Sequence, residues 1–276
     1  MVVAGRRSLL PGLVRHVLLA AAAVLTASPL AVMALVSLSG DMNPAAAATL
    51  SLANYREVFE ETAIVTYMLN GAIVSGAILA AQIGVGLPAA YVLAVRRRPW
   101  TRPVLALAAA ALIMPVQAIL IPLYLIVTRL DLTDTLAALV LPSVSSPLAL
   151  LLFHRAIREA PRSLFDAARL DGLGEAEILV RVVVPVISPV LTAFAIFSVV
   201  LHWNDYVWPL VVLTSPEKFT PPMGVVYFSA YETGVNYGPL MAAATLVVAP
   251  LVVFFLFAQG LVRRSFAAVM MGGGRG

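Results

Sequence analysis

The chain has 276 residues, 61% of them hydrophobic and 12% charged, with a mean hydropathy of +0.97. A soluble domain is about 25% charged and roughly half apolar, so this balance excludes a water-soluble globular enzyme, a disordered chain and a fibrous repeat. The net charge of +4 and the pI near 9.7 do not mark a nucleic-acid binder, because the basic residues are scattered through an apolar chain, and the lack of cysteine excludes disulfide and thiolate chemistry.

Six long stretches, each of 19 residues or more, contain no Asp, Glu, Lys, Arg or His: 17–40, 62–95, 103–128, 135–153, 182–201 and 233–262. About 20 apolar residues at 1.5 Å each cross a hydrocarbon core of about 30 Å. Buried strands of soluble proteins run only about 4–8 residues, and the period-two alternation of a transmembrane barrel is absent. The expected fold is therefore all-α, a polytopic membrane protein of six transmembrane helices.

In chain order, Arg6, Arg7 and Arg15 precede the first stretch. A signal peptide has the same order, but its apolar core is about 7–15 residues long, so the longer run here reads as a retained span. SLANYREVFEE then places Leu52, Tyr55, Val58 and Phe59 on one side of a short amphipathic helix, at the membrane surface or in a solvated loop. Asn70 is a polar residue within the second span. In the third, Gln117 follows Pro115, where a kink frees backbone groups to line a pathway or the helix simply packs.

The segment 154–181 is too polar to span. Pro161 suits a first helical turn, a short helix follows to Leu170, and Asp171-Gly172-Leu173-Gly174 supplies a turn. Glu175 and Glu177 then open a second helix whose dipole they complement, and Pro185 and Pro189 bend the way into the fifth span. The result is a helix–turn–helix with Leu164, Phe165 and Ala168 on its apolar face, or an ordinary charged loop held by its own ion pairs. Past the fifth stretch, Trp203, Asn204, Asp205, Tyr206 and Trp208 combine hydroxyl-binding groups with aromatic plates. They suit sugar recognition or an interfacial anchor. The loop 214–237 carries Pro216, Pro221, Pro222, Gly224 and Gly234 and cannot be one regular helix.

With the N-terminus in the cytoplasm, 15 of the 18 basic residues fall inside, and Arg56, Arg129 and Lys218 fall outside. By the positive-inside rule both termini are cytoplasmic.

Three segments resemble one family. Asp166-Ala167-Ala168-Arg169-Leu170-Asp171-Gly172, with Val184-Pro185 downstream, resembles the EAA–DG–LP loop of inner-membrane permeases of bacterial ABC importers. The WNDYVWPL stretch and SLANYREVF resemble elements of the carbohydrate-uptake branch, and the order best fits the smaller, six-span permease of the maltose type. Asp166 stands where the family has Glu, and Leu173-Gly174 where it has Ser/Thr-Pro.

The resemblance implies a permease subunit in a bacterial cytoplasmic membrane, with a cytoplasmic coupling helix between spans four and five. Its ATPase-coupling residues are Asp166, Ala167, Ala168, Asp171, Gly172 and Pro185. Asn70, Gln117, Trp203, Asn204, Asp205, Tyr206 and Trp208 are the pathway candidates. Expected partners are a second homologous permease, two cytoplasmic ATPase subunits, an extracytoplasmic solute-binding protein and a carbohydrate or related solute. The only lysine, Lys218, is followed by Phe219, so there is no P-loop, and ATP and magnesium belong on the partner ATPase. No metal, cofactor or catalytic set is expected in this chain, and the rival reading is an ion-coupled carrier or channel working alone. The expected divisions are 1–66, 67–265 with the coupling loop at 158–185, and a flexible tail at 266–276.

Overall fold

The computed structural model describes residues 9–39, 50–96, 98–229 and 236–272, and their regular structure is helical throughout. The helices are α1 (Leu9–Leu38), α2 (Ala53–Glu61), α3 (Ile64–Val95), α4 (Thr101–Ile113), α5 (Val116–Arg129), α6 (Leu136–Val140) and α7 (Pro147–Glu159). They continue as α8 (Arg162–Leu170), α9 (Glu175–Ile178), α10 (Val184–Val186), α11 (Ser188–Trp203), α12 (Val207–Val212), α13 (Pro221–Tyr227) and α14 (Tyr237–Gly272). Arg6, Arg7, Arg97, Gly234 and any reading placed on 40–49, 230–235 or 273–276 lie outside the described residues.

Three helices hold stretches long and apolar enough to cross a membrane alone: Val14–Leu38, Ile64–Val95 and Tyr237–Gly260. The other expected spans are broken. α4 meets α5 at 102°, Leu136–Ser143 meets α7 at 42°, and Glu175–Val186 meets α11 at 81°, so the number reaches six if each bent pair is one span.

Local chemistry places each break. Met114 precedes Pro115 and is extended (ψ 123°), because the proline ring clashes with an α-helical residue before it. Ser146 leaves helical space, and its Oγ accepts the Ala149 N–H at 3.2 Å, which caps α7. Pro185 has no N–H to return to Arg181, and the turn just before it, Leu179–Val183, widens to a π-helix.

Packing divides the chain into two units, 1–62 with 225–246, and 63–224 with 247–276. The expected boundary at 66 misses the return of 225–246 to the N-terminal segment, and α14 stays helical past 265 to Gly272. In the first unit Asn54 is the tie. Its Nδ2 donates to the carbonyls of Ser37 and Ser39, both at 3.0 Å, and so satisfies the open end of α1. Gly238 lies so close that a Cβ there would be 2.6 Å from Asn54 Oδ1. Val58 is buried, whereas Leu52 and Phe59 point outward. The inner side of α2 therefore runs through Asn54 and Val58, displaced from the apolar spacing.

In the second unit α3 is the axis. One core forms around Leu87, Tyr91, Phe153, Phe165, Ile178 and Phe194, another around Val74, Ile78, Val127, Leu139 and Trp208. Gly86 allows close approach of α7, with Ala149 Cβ only 3.3 Å from an added Cβ. Asn70 and Tyr91 anchor loops toward the two ends of α3. Their 21-residue separation is about 32 Å along a helix, the thickness of a hydrocarbon core.

Candidate functional site

The segment 158–185 folds as a helix–turn–helix docked on its own chain, with Leu164, expected on the apolar face, exposed instead. Phe165, Ala168 and Ile178 are buried in the first core, with Leu173 packed beside them. α8 ends in a Schellman turn. Leu173 N–H donates to Ala168 O and Gly172 N–H to Arg169 O, both at 3.1 Å, and Gly172 sits at φ +81°. Arg169 bridges Asp166 (3.5 Å) and Glu175 (3.4 Å) across that turn, and the Tyr91 hydroxyl donates to Glu175. Gly174 has no side chain to cap α9, but its N–H donates to Glu177 Oε2 at 3.2 Å. Half a capping box thus forms without the Ser/Thr.

This docking sorts the coupling candidates. Asp166, Ala167, Asp171, Gly172 and Pro185 are exposed. Ala168 is not; it faces the chain's own core at 5% exposure, because it shares the inner side of α8 with Phe165. Leu170, absent from the candidate set, is 89% exposed. The sequence held a signal: at about 100° per residue Leu170 lies about 140° from Phe165, opposite the face that docks.

A second feature is an open cavity of about 650 Å³. His202, Asn204, Asp205, Tyr206 and Trp208 form one side, with Leu120 and Ser143 among the residues opposite. Four of the seven pathway candidates meet here. The others do not line it. Asn70 is buried and donates to the carbonyls of Glu217 (2.9 Å) and Phe219 (3.0 Å). Trp203 is buried, its Nε1–H donating to Val247 O at 3.1 Å. Gln117 is exposed at the start of α5. Trp208 has two roles, since its Nε1–H also donates to Ala138 O at 2.9 Å inside the second core.

His202 joins the cavity through Gln82, midway along α3. A carbonyl oxygen only accepts, so the Gln82 atom 2.9 Å from Ser143 O is the amide nitrogen. Gln82 Oε1 then accepts from the Ser198 hydroxyl at 2.7 Å, and the amide's second hydrogen faces His202 Nε2 at 3.2 Å. With Nε2 accepting, the neutral imidazole carries its proton on Nδ1. Asp205 Oδ1 accepts the Trp208 N–H at 3.4 Å at the start of α12. The cavity wall thus holds a carboxyl group and an imidazole beside aromatic surface, the set that hydroxyl-bearing ligands use.

At the other end of α3 from Tyr91, one aspartate gathers the loop 214–218. Asp134, itself at φ +55°, accepts the N–H groups of Thr214 and Ser215 at 2.9 Å, the Ser215 hydroxyl, and Lys218 Nζ at 2.8 Å. The Lys218 bond, then those from Ser215 and Thr214, hold the Asp134 carboxyl well below the usual aspartate range. A lowered folded-state value stabilises above the unfolded one and fails only as pH falls through the folded one. Protection of the Thr214 and Ser215 amides is therefore expected to persist through about pH 4, the ordinary aspartate value, and to be lost only well below it. Asp134→Ala should speed their exchange at neutral pH; equal protection in the variant would show that the tie does not hold the loop.

The chain matches the family described as binding-protein-dependent transport system inner membrane component over residues 82–267. It is 32% identical over 229 residues to the arabinooligosaccharides transport system permease protein AraQ of Halalkalibacterium halodurans, covering 83% of this chain and 81% of that protein. It is 30% identical over 215 residues to the melibiose/raffinose/stachyose import permease protein MelC of Bacillus subtilis, covering 77% and 78%. A crystal structure of a bacterial ABC transporter involved in the import of the acidic polysaccharide alginate contains a chain of the same fold. Its TM-score is 0.79 at 19% identity, covering 94% of this chain and 99% of that one. The helices, the match over two thirds of the length and the sugar-transport relatives agree: the chain is a multi-pass inner-membrane protein that belongs to the binding-protein-dependent transport system inner membrane component family, among the carbohydrate-uptake permeases of ABC importers.

Proposed function

We propose that the chain forms half of the translocation pathway for a neutral oligosaccharide, opposite a second homologous permease. Two cytoplasmic ATPase subunits grip the loop 158–185, and an extracytoplasmic binding protein delivers the solute. The observation that carries this reading is the pairing of a docked, turn-capped helix that presents Leu170 outward with a cavity bearing His202 and Asp205. Both termini are cytoplasmic in this scheme, as the arginine distribution requires. The cavity lining has an acid and no lysine or arginine, which favours a neutral sugar over an anionic one, and the relatives named above carry neutral oligosaccharides in their names.

Closure of the ATPase dimer on ATP and magnesium draws the paired loops together and favours the outward-open packing; hydrolysis releases them to the inward-open one. This is a population shift set by differential contacts. Because Phe165, Ala168 and Ile178 share a core with Tyr91 and Phe194, a push on the loop reaches α3 and α11 as one rigid element.

The test is uptake of radiolabelled lactose, raffinose and arabinotriose into proteoliposomes holding the assembled transporter. ATP-dependent uptake that needs both the ATPase and the binding protein is expected. Asp205→Ala should lower uptake about three- to tenfold through the lost hydrogen bond while ATP hydrolysis persists. Uptake driven by an ion gradient alone would instead establish the carrier reading.

A further inference from the structure

Beside the Tyr91 end of α3, where α4 begins, lies a separate open cavity of about 570 Å³. Arg98, Arg102 and Arg158 line it together with His154. Among the described residues no carboxylate pairs with these three guanidinium groups, although the neighbouring Arg155, Arg169 and Arg181 are each held by a glutamate. Thr101 also lines this cavity, and its hydroxyl is buried without a hydrogen-bond partner. A buried unsatisfied hydroxyl is costly, and like charges gathered without acids repel. Both features point to an anion as the missing component.

The rest of the cavity is apolar. Leu93, Pro99 and Leu105 complete its lining. Trp100 next to it is exposed, a residue type that sits at headgroup depth. Farther along α4, Leu107, Leu112 and Ile113 leave apolar side chains exposed. The site thus sets three guanidinium groups beside apolar side chains.

We propose that this cavity binds the phosphate of an anionic phospholipid headgroup. The planar guanidinium forks of Arg98, Arg102 and Arg158 match phosphate oxygens, the Thr101 hydroxyl supplies a further donor, and Leu93 and Leu105 receive the glycerol and first methylenes. Inorganic phosphate offers the same oxygens, but it leaves the apolar lining of the cavity and the exposed apolar side chains of α4 unused. The lipid becomes a strut between the start of α4 and the end of α7, close to the segment 158–185.

Native mass spectrometry of the full chain, titrated in detergent with phosphatidylglycerol, phosphatidylcholine or inorganic phosphate, tests this. One phosphatidylglycerol is expected to be retained in preference to phosphatidylcholine. Arg102→Gln and Arg158→Gln, both exposed, should each weaken retention about fivefold, and Thr101→Val should weaken it less. Arg155→Gln, whose guanidinium is already tied to Glu159 at 2.8 Å, should leave it unchanged. Thermal unfolding without added lipid checks that each variant is folded. Equal retention by wild type, Arg102→Gln and Arg158→Gln overturns the site. Inorganic phosphate that phosphatidylglycerol does not displace overturns the lipid and assigns a free anion. Release of the lipid when the ATPase subunits are added overturns it in favour of protein carboxylates.

Discussion

Leu170→Asp is expected to detach the transporter from its ATPase while leaving the membrane protein folded. Leu170 is 89% exposed and its neighbours Phe165 and Ala168 are buried, so the substitution removes outward apolar surface and leaves the docking side intact. Burial of a leucine at a partner surface is worth about 1.5–3 kcal/mol, which is roughly 10- to 150-fold in affinity, and a carboxylate in its place adds a desolvation cost. Co-purification of the ATPase with the permease, together with ATP-dependent uptake, reads the result. Unchanged association would remove Leu170 from the contact. Gly172→Ala makes a milder companion. Its φ of +81° strains any residue with a Cβ by about 1–2 kcal/mol, yet an added Cβ meets nothing within 4 Å. Coupling should weaken through the angle of the turn and not through a clash. Ala168→Arg is a poorer probe, because a charge there enters the chain's own core before it meets a partner.

Trp203→Ala is expected to cost about 3–5 kcal/mol of stability, the range for a large aromatic removed from a core. The indole is 5% exposed, its N–H is bonded to Val247 O, and its ring edge lies against Gly71, where an added Cβ would approach it to 3.5 Å. Gly71 is itself pressed against Pro221, so this corner has no room in which to relax. Thermal unfolding in detergent should fall sharply, and less folded protein should reach the membrane. Asn204→Ala, one residue on, should leave unfolding nearly unchanged, because Asn204 is exposed and its side chain bonds only Val200 O of its own helix. If Trp203→Ala unfolds normally and impairs transport alone, Trp203 belongs to the pathway after all.

These two residues mark the boundary between what pattern and packing each decide. Composition alone required lipid as solvent, because 12% charge cannot cover a soluble surface. Charge-free runs located the apolar segments, and the string from Asp166 to Gly172 located the turn, since only glycine takes φ +81° cheaply. Such features are local: they depend on a residue's own chemistry and its near neighbours. Continuity of the spans was less legible. Pro115, Ser146 and Pro185 were visible, but a proline that kinks a helix and one that turns it through 102° read alike in sequence, and the angle is fixed by what each half packs against.

Facing was decided mostly by tertiary structure. Trp203 and Trp208 sit five residues apart in one motif; one is sealed against Gly71, while the other lies between a core and a cavity. Ala168, expected at the ATPase contact, turns inward beside Phe165, and Leu170, given no role beforehand, turns outward. Gln82, Ser143, Ser198 and His202, scattered over some 120 residues, meet in one hydrogen-bonded set, and no spacing announces it. The sequence by itself determined the solvent of this protein, its apolar segments and its glycine turn. Only the folded chain decided which polar groups meet a cavity and which close a core, since burial is a property of neighbours that the one-dimensional order does not carry.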